Sequence, residues 1–316
     1  MSFITAIIVA FDSAHALPSC LDALKQAGVP SIVVDNASRD DSVDVALAYG
    51  ATVVRHARNE GYGRANNTGA RTALSEFLLI VNPDVVVQPG CVAELLNAAR
   101  RYPEAGFFAP KIVEPDGRVF FQPRSLLAPY LQNPKGHLAI PEADACAPFF
   151  SGACFLVRRS LFLEIGGFDE NIFLFYEDDD LCRRIAERSP ALIFVPAAVV
   201  EHQRGRSTRA EPGRVFRSRW HLAWSQAYVA RKYGLPNPAP RVFMMNSLKT
   251  IGACAGFNRS RIERYAGSAA GALDFLRGRK ALEAAGLDDP AVPLVLGEPT
   301  PPNATIAIAD DGAAVS

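Results

Sequence analysis

The chain has 316 residues, enough to bury a sizeable core, and its 33 basic and 33 acidic residues cancel, so it carries no overall electrostatic footprint for a nucleic acid. Six cysteines, at 20, 91, 146, 154, 182 and 254, form no CxxC pair or metal-finger spacing, and reduced thiols are expected. MSFITAIIVAFDS lacks the basic start and cleavage site of a secretory signal, and no stretch reaches the roughly 18 uncharged apolar residues of a membrane span, so a cytoplasmic location is expected.

Short β-rich runs open the chain: FITAIIVA (3 to 10), SIVVD (31 to 35), ATVVR (51 to 55) and EFLLIV (76 to 81). Helical patterns lie between and after them, at 16 to 27 with Pro18 in the first turn, 41 to 49, 62 to 74, and 89 to 101 behind Pro89. This alternation predicts an α/β fold with a mostly parallel central sheet and helices on both faces. Ligands of such sheets bind beyond the carboxyl ends of the strands. There the sequence reads AFD, VDNAS and VNPDV, which place Asp12, Asp35, Asn36, Asn82 and Asp84 at one edge. Asp12 or Asn36 alone is ordinary turn or cap chemistry, and Asn-Pro-Asp is equally good turn chemistry. A carboxylate such as Asp84 just past a buried strand can also hold Mg²⁺ or Mn²⁺ against a diphosphate. NEGYGRANNTGA (59 to 70) is a Gly and Asn cluster opening a helix. Its backbone N–H groups and Arg64 suit phosphate or sugar oxygens, although its spacing is neither a P-loop nor a dinucleotide fingerprint.

Residues 105 to 150 are rich in Pro and Phe with few periodic runs, and irregular structure is expected there. SGACFLVRRSLFLEIGGFDE (151 to 170) reads as strand, short helix and Gly-Gly turn. Cys154 sits in its apolar strand pattern and is expected to be buried, not a nucleophile. FLFYEDDDLCRR (173 to 184) then sets four acids, Glu177 to Asp180, between an aromatic run and an amphipathic stretch. Acids favour a first helical turn, Leu181 and Ile185 share a face, and Asp180 can pair with Arg183 or Arg184, so a helix start is predicted. ALIFVPAAVV (191 to 200) is a strand leading to His202 in VVEHQRGRS. That imidazole is either structural or completes a metal shell opposite Asp84; Arg204 and Arg206 suit a diphosphate or are solvated. Helices are predicted at 213 to 233, 241 to 256 and 260 to 286, and a disordered tail from 290 to 316. With basic RVFRSRW and RSRIERY, this extension either packs on the core or a second copy, or makes peripheral contact with an anionic membrane at its inner face.

In chain order, VDNAS, NEGYGRANNTG, NPDV, SGACFLVRR, GGFDE, FYEDDDLCRR and VVEHQRGRS resemble the family 2 inverting glycosyltransferases, most closely the rhamnosyltransferase-like branch. The resemblance spans residues 1 to about 207. It implies a GT-A-like domain over 1–210, with a nucleotide-sugar half to about 104 and an acceptor half from 105, then a helical extension over 211–289. It further implies a donor site of Phe11, Asp12, Asp35, Asn36, Asn59, Gly61, Arg64, Asn67 and Asn82. Asp84 corresponds to the metal-binding acid of the family's DxD element, and His202 to a His that contacts the metal or diphosphate. Asp178 corresponds to the general base, with Phe175, Tyr176 and Glu177 on the acceptor side. Two departures stand out: Asn82 replaces an acid, which thins the metal shell, and Arg64 replaces a small residue. The implied reaction moves a sugar, rhamnose from dTDP-rhamnose or another dTDP- or UDP-linked donor, onto a saccharide or lipid-linked acceptor in cell-envelope polysaccharide synthesis. A nucleotidyltransferase would carry a Gly-rich basic loop where FDSAHALPSC stands. A non-catalytic nucleotide-sugar binding module would tolerate loss of Asp178.

Overall fold

A computed structural model describes residues 3–122, 125–127, 139–189, 191–203, 212–285 and 306–308. The first part of the chain forms β1 (Ile4–Ala10), α1 (Leu17–Gln26), β2 (Ser31–Asp35), α2 (Ser42–Ala48), β3 (Thr52–Arg55), α3 (Tyr62–Thr72), β4 (Phe77–Val81), β5 (Val85–Val87) and α4 (Cys91–Arg101). The middle forms β6 (Phe107–Val113), β7 (Val119–Phe120), β8 (Ala145–Cys146), β9 (Cys154–Arg158), α5 (Arg159–Glu164), α6 (Glu177–Ala186) and β10 (Leu192–His202). Helices α7 (Arg214–Lys232), α8 (Ala239–Ala255), α9 (Arg259–Leu276) and α10 (Ala281–Ala284) follow, and β11 (Ile306–Ile308) pairs with β3.

The sheet runs β11-β3-β2-β1-β4-β9-β6-β10-β5, and along it only β9 and β5 oppose the common direction. Side chains alternate across a strand, and β1 divides accordingly. Ile4, Ala6 and Ile8 join Leu21, Leu24, Ala46 and Leu95 of α1, α2 and α4 on one face. Ile7 and Val9 join Ala65, Phe162, Leu181 and Ile185 of α3, α5 and α6 on the other. Both faces are covered, which is why the inner strands read as unbroken apolar runs.

Three features differ from the sequence expectation. The stretch expected to be irregular contains β6, a largely buried strand parallel to β10 and hidden in the sequence by Pro110. Pro110 is accommodated where the β6–β10 register shifts, between Val195 and Val199. The predicted 260 to 286 helix ends at Leu276, because Gly278 takes φ +78° and the chain restarts as α10. Of the 290 to 316 tail, expected to be disordered, only Ile306–Ile308 lies within the described residues, and it is a strand because it pairs in parallel with β3. Arg204 and Arg206 lie outside them.

The C-terminal helices pack through small residues. A Cβ on Gly267 would lie 2.4 Å from the Phe216 carbonyl oxygen, and one on Gly271 2.1 Å from that of Trp220, so glycine lets α9 press on the α7 backbone. Trp220, Trp224 and Phe275 fill the seam. Polar ties fix α7 to the rest: Ser225 Oγ donates to the Leu174 carbonyl, Tyr228 and Lys232 reach Asp169, and Lys232 and Tyr233 reach Asp180. Among the described residues no helix is long and apolar enough to cross a membrane.

Candidate active site

Sheet register assembles the site. Ala10 pairs with Asp35, Val81 with Cys154, and His202 with Val85, so Phe11, Asn36, Asn82, Gly152, Asp84 and His202 meet at the carboxyl edge. They line one cleft of about 1130 Å³, closed on its far side by Phe173 to Phe175, the start of α6, and side chains of α7 and α9.

On the wall formed by Asn36, Asn59 and Gly61 a buried amide network shapes the loop before α3. Asn36 Nδ2 donates to Asn59 Oδ1 at 2.9 Å and to the Gly61 carbonyl at 3.2 Å, while its Oδ1 accepts the Glu60 N–H at 3.0 Å. His56 bridges Asn36 Oδ1 and Thr68 Oγ1, each at 3.1 Å. Burial lowers its pKa to about 4, so the ring is neutral; since Asn36 Oδ1 can only accept, Nδ1 carries the proton. Gly61 stands at φ +87°, and a Cβ there would lie 2.5 Å from the Phe173 carbonyl oxygen. The neighbouring Tyr62 N–H donates to that oxygen at 3.1 Å.

Asp84 and His202 form a second group. The Asn82-Pro83-Asp84 turn, closed by Val85 N–H to the Asn82 carbonyl, buries Asp84 to 4 % exposure. His202 Nε2 stands 3.4 Å from Asp84 Oδ1. Both Asp84 oxygens, Asn82 Oδ1 and His202 Nδ1 are buried with no hydrogen-bond partner. Buried polar atoms are normally satisfied, and an orphaned carboxylate beside an imidazole and an amide oxygen suits a hard divalent cation that takes its remaining ligands from phosphate and water. Among the described residues no set of three or more His, Cys, Asp or Glu converges as a metal cage.

The acidic tract is a helix start, as its sequence predicts, but its four acids separate by task. Phe175 and Tyr176 both take positive φ, at 68° and 66°, and this strained turn aims α6 into the cleft. Asp180, fully buried, pairs with Arg184 and Lys232 and accepts from Tyr233. Asp179 accepts from Ser125 Oγ and the Leu126 N–H. Glu177 and Asp178 line the cleft, and Asp178 Oδ2 accepts the Gly152 N–H at 3.0 Å. Burial first, then repulsion by Asp178, raises Glu177 to about 8 and Asp179 to about 7. Burial also raises Asp178, against the N–H groups of Gly152 and Asp179 that hold its charged form.

Of the residues singled out in the sequence, Phe11, Asn36, Asn59, Gly61, Asn82, Asp84, Phe175, Glu177, Asp178 and His202 line this cleft. Asp12, Asp35, Arg64, Asn67 and Tyr176 stand outside its lining, each for a physical reason. Asp12 Oδ1 accepts the Arg39 N–H at 2.7 Å and braces the loop after β2. Asp35 is 1 % exposed, accepts the Ser38 N–H, and has its pKa raised by burial. Arg64 Nε donates to the Glu170 carbonyl, and Asn67 bonds both backbone groups of Phe168, so these two lock the Gly-Gly turn onto α3. Tyr176 packs with Leu127, Ile172 and Val229. Sequence reasoning missed Gly152, Arg39, Arg58, Arg214, Arg217 and His221, which also line the cleft. SGAC reads as a strand lead-in within one of the motifs that carry the family resemblance, with no role for Gly152, and RVFRSRW as a packing or membrane-facing stretch. Nothing in their spacing shows that α7 folds back over the sheet edge.

Comparison with known proteins bears on the family and the fold. The family model "Glycosyl transferase family 2" matches residues 5–166, half of the chain. An N-acetylglucosaminyl-diphospho-decaprenol L-rhamnosyltransferase of Mycobacterium tuberculosis is 32% identical, over 58% of this chain and 69% of its own. The rhamnosyltransferase WbbL of Escherichia coli is 26% identical, over 56% and 73%. Among solved structures, S. aureus TarS 1-349 superposes with a TM-score of 0.53 at 13% identity, covering 88% of this chain and 92% of that one. Mannosyltransferase PcManGT from Pyrobaculum calidifontis, in complex with GDP-Man and Mn²⁺, gives 0.51 at 18%, covering 88% of each. The chain spans only 39% of a longer TarS chain. The strand-edge cleft, the GT-A-type fold and the family match together identify the chain as a member of glycosyl transferase family 2, a glycosyltransferase.

Proposed function

We propose that this glycosyltransferase works with inversion, moving rhamnose from dTDP-rhamnose to a lipid-diphosphate-linked saccharide in cell-envelope glycan synthesis at the cytoplasmic membrane face. The observation that carries the mechanism is the placement of Asp178 and the Asp84–His202 pair in one cleft. The rhamnosyl donor and lipid-linked acceptor rest on the two rhamnosyltransferase relatives and on the acceptor that the mycobacterial one's name specifies.

An inverting transfer is a single displacement through an oxocarbenium-like transition state, with the acceptor hydroxyl opposite the leaving nucleoside diphosphate. Asp178 takes the hydroxyl proton; its raised pKa makes the carboxylate a better acceptor than an exposed one. The Gly152 N–H fixes which Asp178 oxygen is occupied and leaves Oδ1 on the α6 side with the Asp179 N–H. The amide loop of Asn36, Asn59 and Gly61 holds the donor, and Arg39 and Arg58 on the same wall stabilise its phosphates. Asp84 and His202, with Asn82 beside them, would hold Mg²⁺ or Mn²⁺. When bound, that ion offsets the charge that grows on the departing diphosphate. Phe173 and Phe175 offer aromatic faces to sugar rings.

The test is transfer from dTDP-rhamnose to an N-acetylglucosaminyl-diphospho-polyprenol, followed by product mass and anomeric configuration. Asp178→Asn and Asp84→Ala each lose turnover on this account. Retention of the anomeric configuration, or transfer from another nucleotide sugar in preference, overturns the corresponding part.

A further inference from the structure

The C-terminal helices carry a surface that neither the cleft nor the core uses. On α8, Met244, Leu248 and Ile251 recur at i, i+4 and i+7, so they share one face, and they are 56%, 61% and 68% exposed. At the end of that helix Phe257, at φ +50°, holds its ring out at 93% exposure. Large apolar side chains exposed singly need no explanation, but a contiguous ridge marks an interaction surface. The flanks are cationic: Arg241 and Lys249 on α8, and Arg259, Arg261 and Arg264 on α9, are all exposed. The α8 sequence, APRVFMMNSLKTIGACA, contains no acid, and the nearest one, Glu263, is paired with Arg259.

We propose that this ridge seats the enzyme on an anionic lipid surface, with Met244, Leu248, Ile251 and Phe257 entering the headgroup boundary and the surrounding Arg and Lys side chains meeting lipid phosphates. The chemistry selects this occupant. An exposed apolar stripe bordered by cations, on a helix not long and apolar enough to span, suits in-plane seating at a lipid interface. Two copies joined face to face through the same ridge would set like charges against each other, whereas anionic headgroups neutralise them. Because α8 packs on α9, and residues of α7 and α9 line the cleft, seating α8 also fixes the cleft relative to the bilayer. This deepens the proposed lipid-linked acceptor but stands on separate residues, so the two can fail independently.

The experiment is flotation of the full chain with vesicles of phosphatidylcholine, or of phosphatidylcholine with phosphatidylglycerol. The wild type floats with the phosphatidylglycerol vesicles, binds the neutral ones far less, and is released by salt. Leu248→Glu with Ile251→Glu lowers the bound fraction about tenfold or more, while Arg259→Glu with Arg261→Glu removes the preference for phosphatidylglycerol. All four positions are exposed, so the thermal midpoint and its increase with dTDP stay as in the wild type. That increase reads the donor site alone, which separates failure of the surface from failure of the proposed reaction. Wild-type protein that stays at the bottom with both vesicles overturns the proposal, as does equal flotation of the Leu248/Ile251 variant. A dimer in sedimentation equilibrium that the same variant dissociates, without flotation, assigns the ridge to self-association instead.

Discussion

Gly152→Ala is the sharpest probe of how Asp178, the proposed base, is held, because it changes no titratable group. A Cβ at position 152 would lie 3.1 Å from Asp178 Cβ, about 0.3 Å inside the start of ordinary contact at 3.4 Å. Gly152 is not among the glycines of positive φ, so alanine brings no backbone strain there. The displacement therefore falls on Asp178, whose Oδ2 is tied to the same residue's N–H at 3.0 Å. A misplacement of 1 Å at a reacting group costs about a hundredfold, so a few tenths of an ångström should lower kcat about three- to tenfold, roughly 0.7–1.4 kcal/mol of barrier. The readout is steady-state transfer together with the dTDP-induced rise in melting temperature. On this reasoning kcat falls while nucleotide binding is kept. A Gly152→Ala enzyme with wild-type kcat and an unchanged pH profile refutes the idea that Asp178 is the reacting carboxylate held by this contact.

Gly61→Ala places a Cβ 2.5 Å from the Phe173 carbonyl oxygen at φ +87°, so a loss of about 2–4 kcal/mol in urea unfolding and weakened donor binding are expected. Asp180→Ala leaves Arg184 and Lys232 without the acid that joins α6 to α7; the cost expected from urea midpoints is about 2–4 kcal/mol, held down because both cations are partly exposed. Activity should rise with pH as Asp178, raised by burial, ionises, and Glu177→Gln, which removes a group that stays neutral up to about 8, should leave the position of that rise unchanged. The same raised values fix the sign for stability. Folding favours the neutral acids, so their contribution is full below about 4, the ordinary carboxylate value. It is lost as pH climbs through about 7 for Asp179 and about 8 for Glu177. Melting temperature should therefore fall across that range, and fall less in Glu177→Gln; a flat profile contradicts the burial of these acids.

Much of the site is written locally. Strand ends such as VDNAS and VNPD put Asn36, Asn82 and Asp84 at one edge because a parallel sheet has only one carboxyl edge, and the run EDDD marks a helix start by charge alone. The rest depends on contacts distant in sequence. Asp12, Arg64 and Asn67 look like ligand-binding residues by type, yet they bond the backbone of the loops beside them; Asp35 does so through Oδ1 alone, and its buried Oδ2 has no hydrogen-bond partner. The Asp180–Arg184 pair is local and legible in the sequence, whereas the partners that hold Asp179 and complete the burial of Asp180 are distant: Ser125 in a poorly patterned stretch and Lys232 in the last turn of α7. β6 was hidden by its own proline, and the cations of α7 enter the cleft only because Gly267 and Gly271 let α9 press that helix into place.

The central claim is that one cleft divides its work between a base at Asp178 and a diphosphate site at Asp84 and His202. It is tested most directly by measuring dTDP-induced thermal stabilisation with and without Mn²⁺ alongside transfer, in wild type, Asp178→Asn and Asp84→Ala. The account predicts that both variants lose transfer, that Asp178→Asn keeps the Mn²⁺-enhanced stabilisation, and that Asp84→Ala loses the enhancement. Transfer surviving in Asp178→Asn, or Mn²⁺ enhancement surviving in Asp84→Ala, would contradict it.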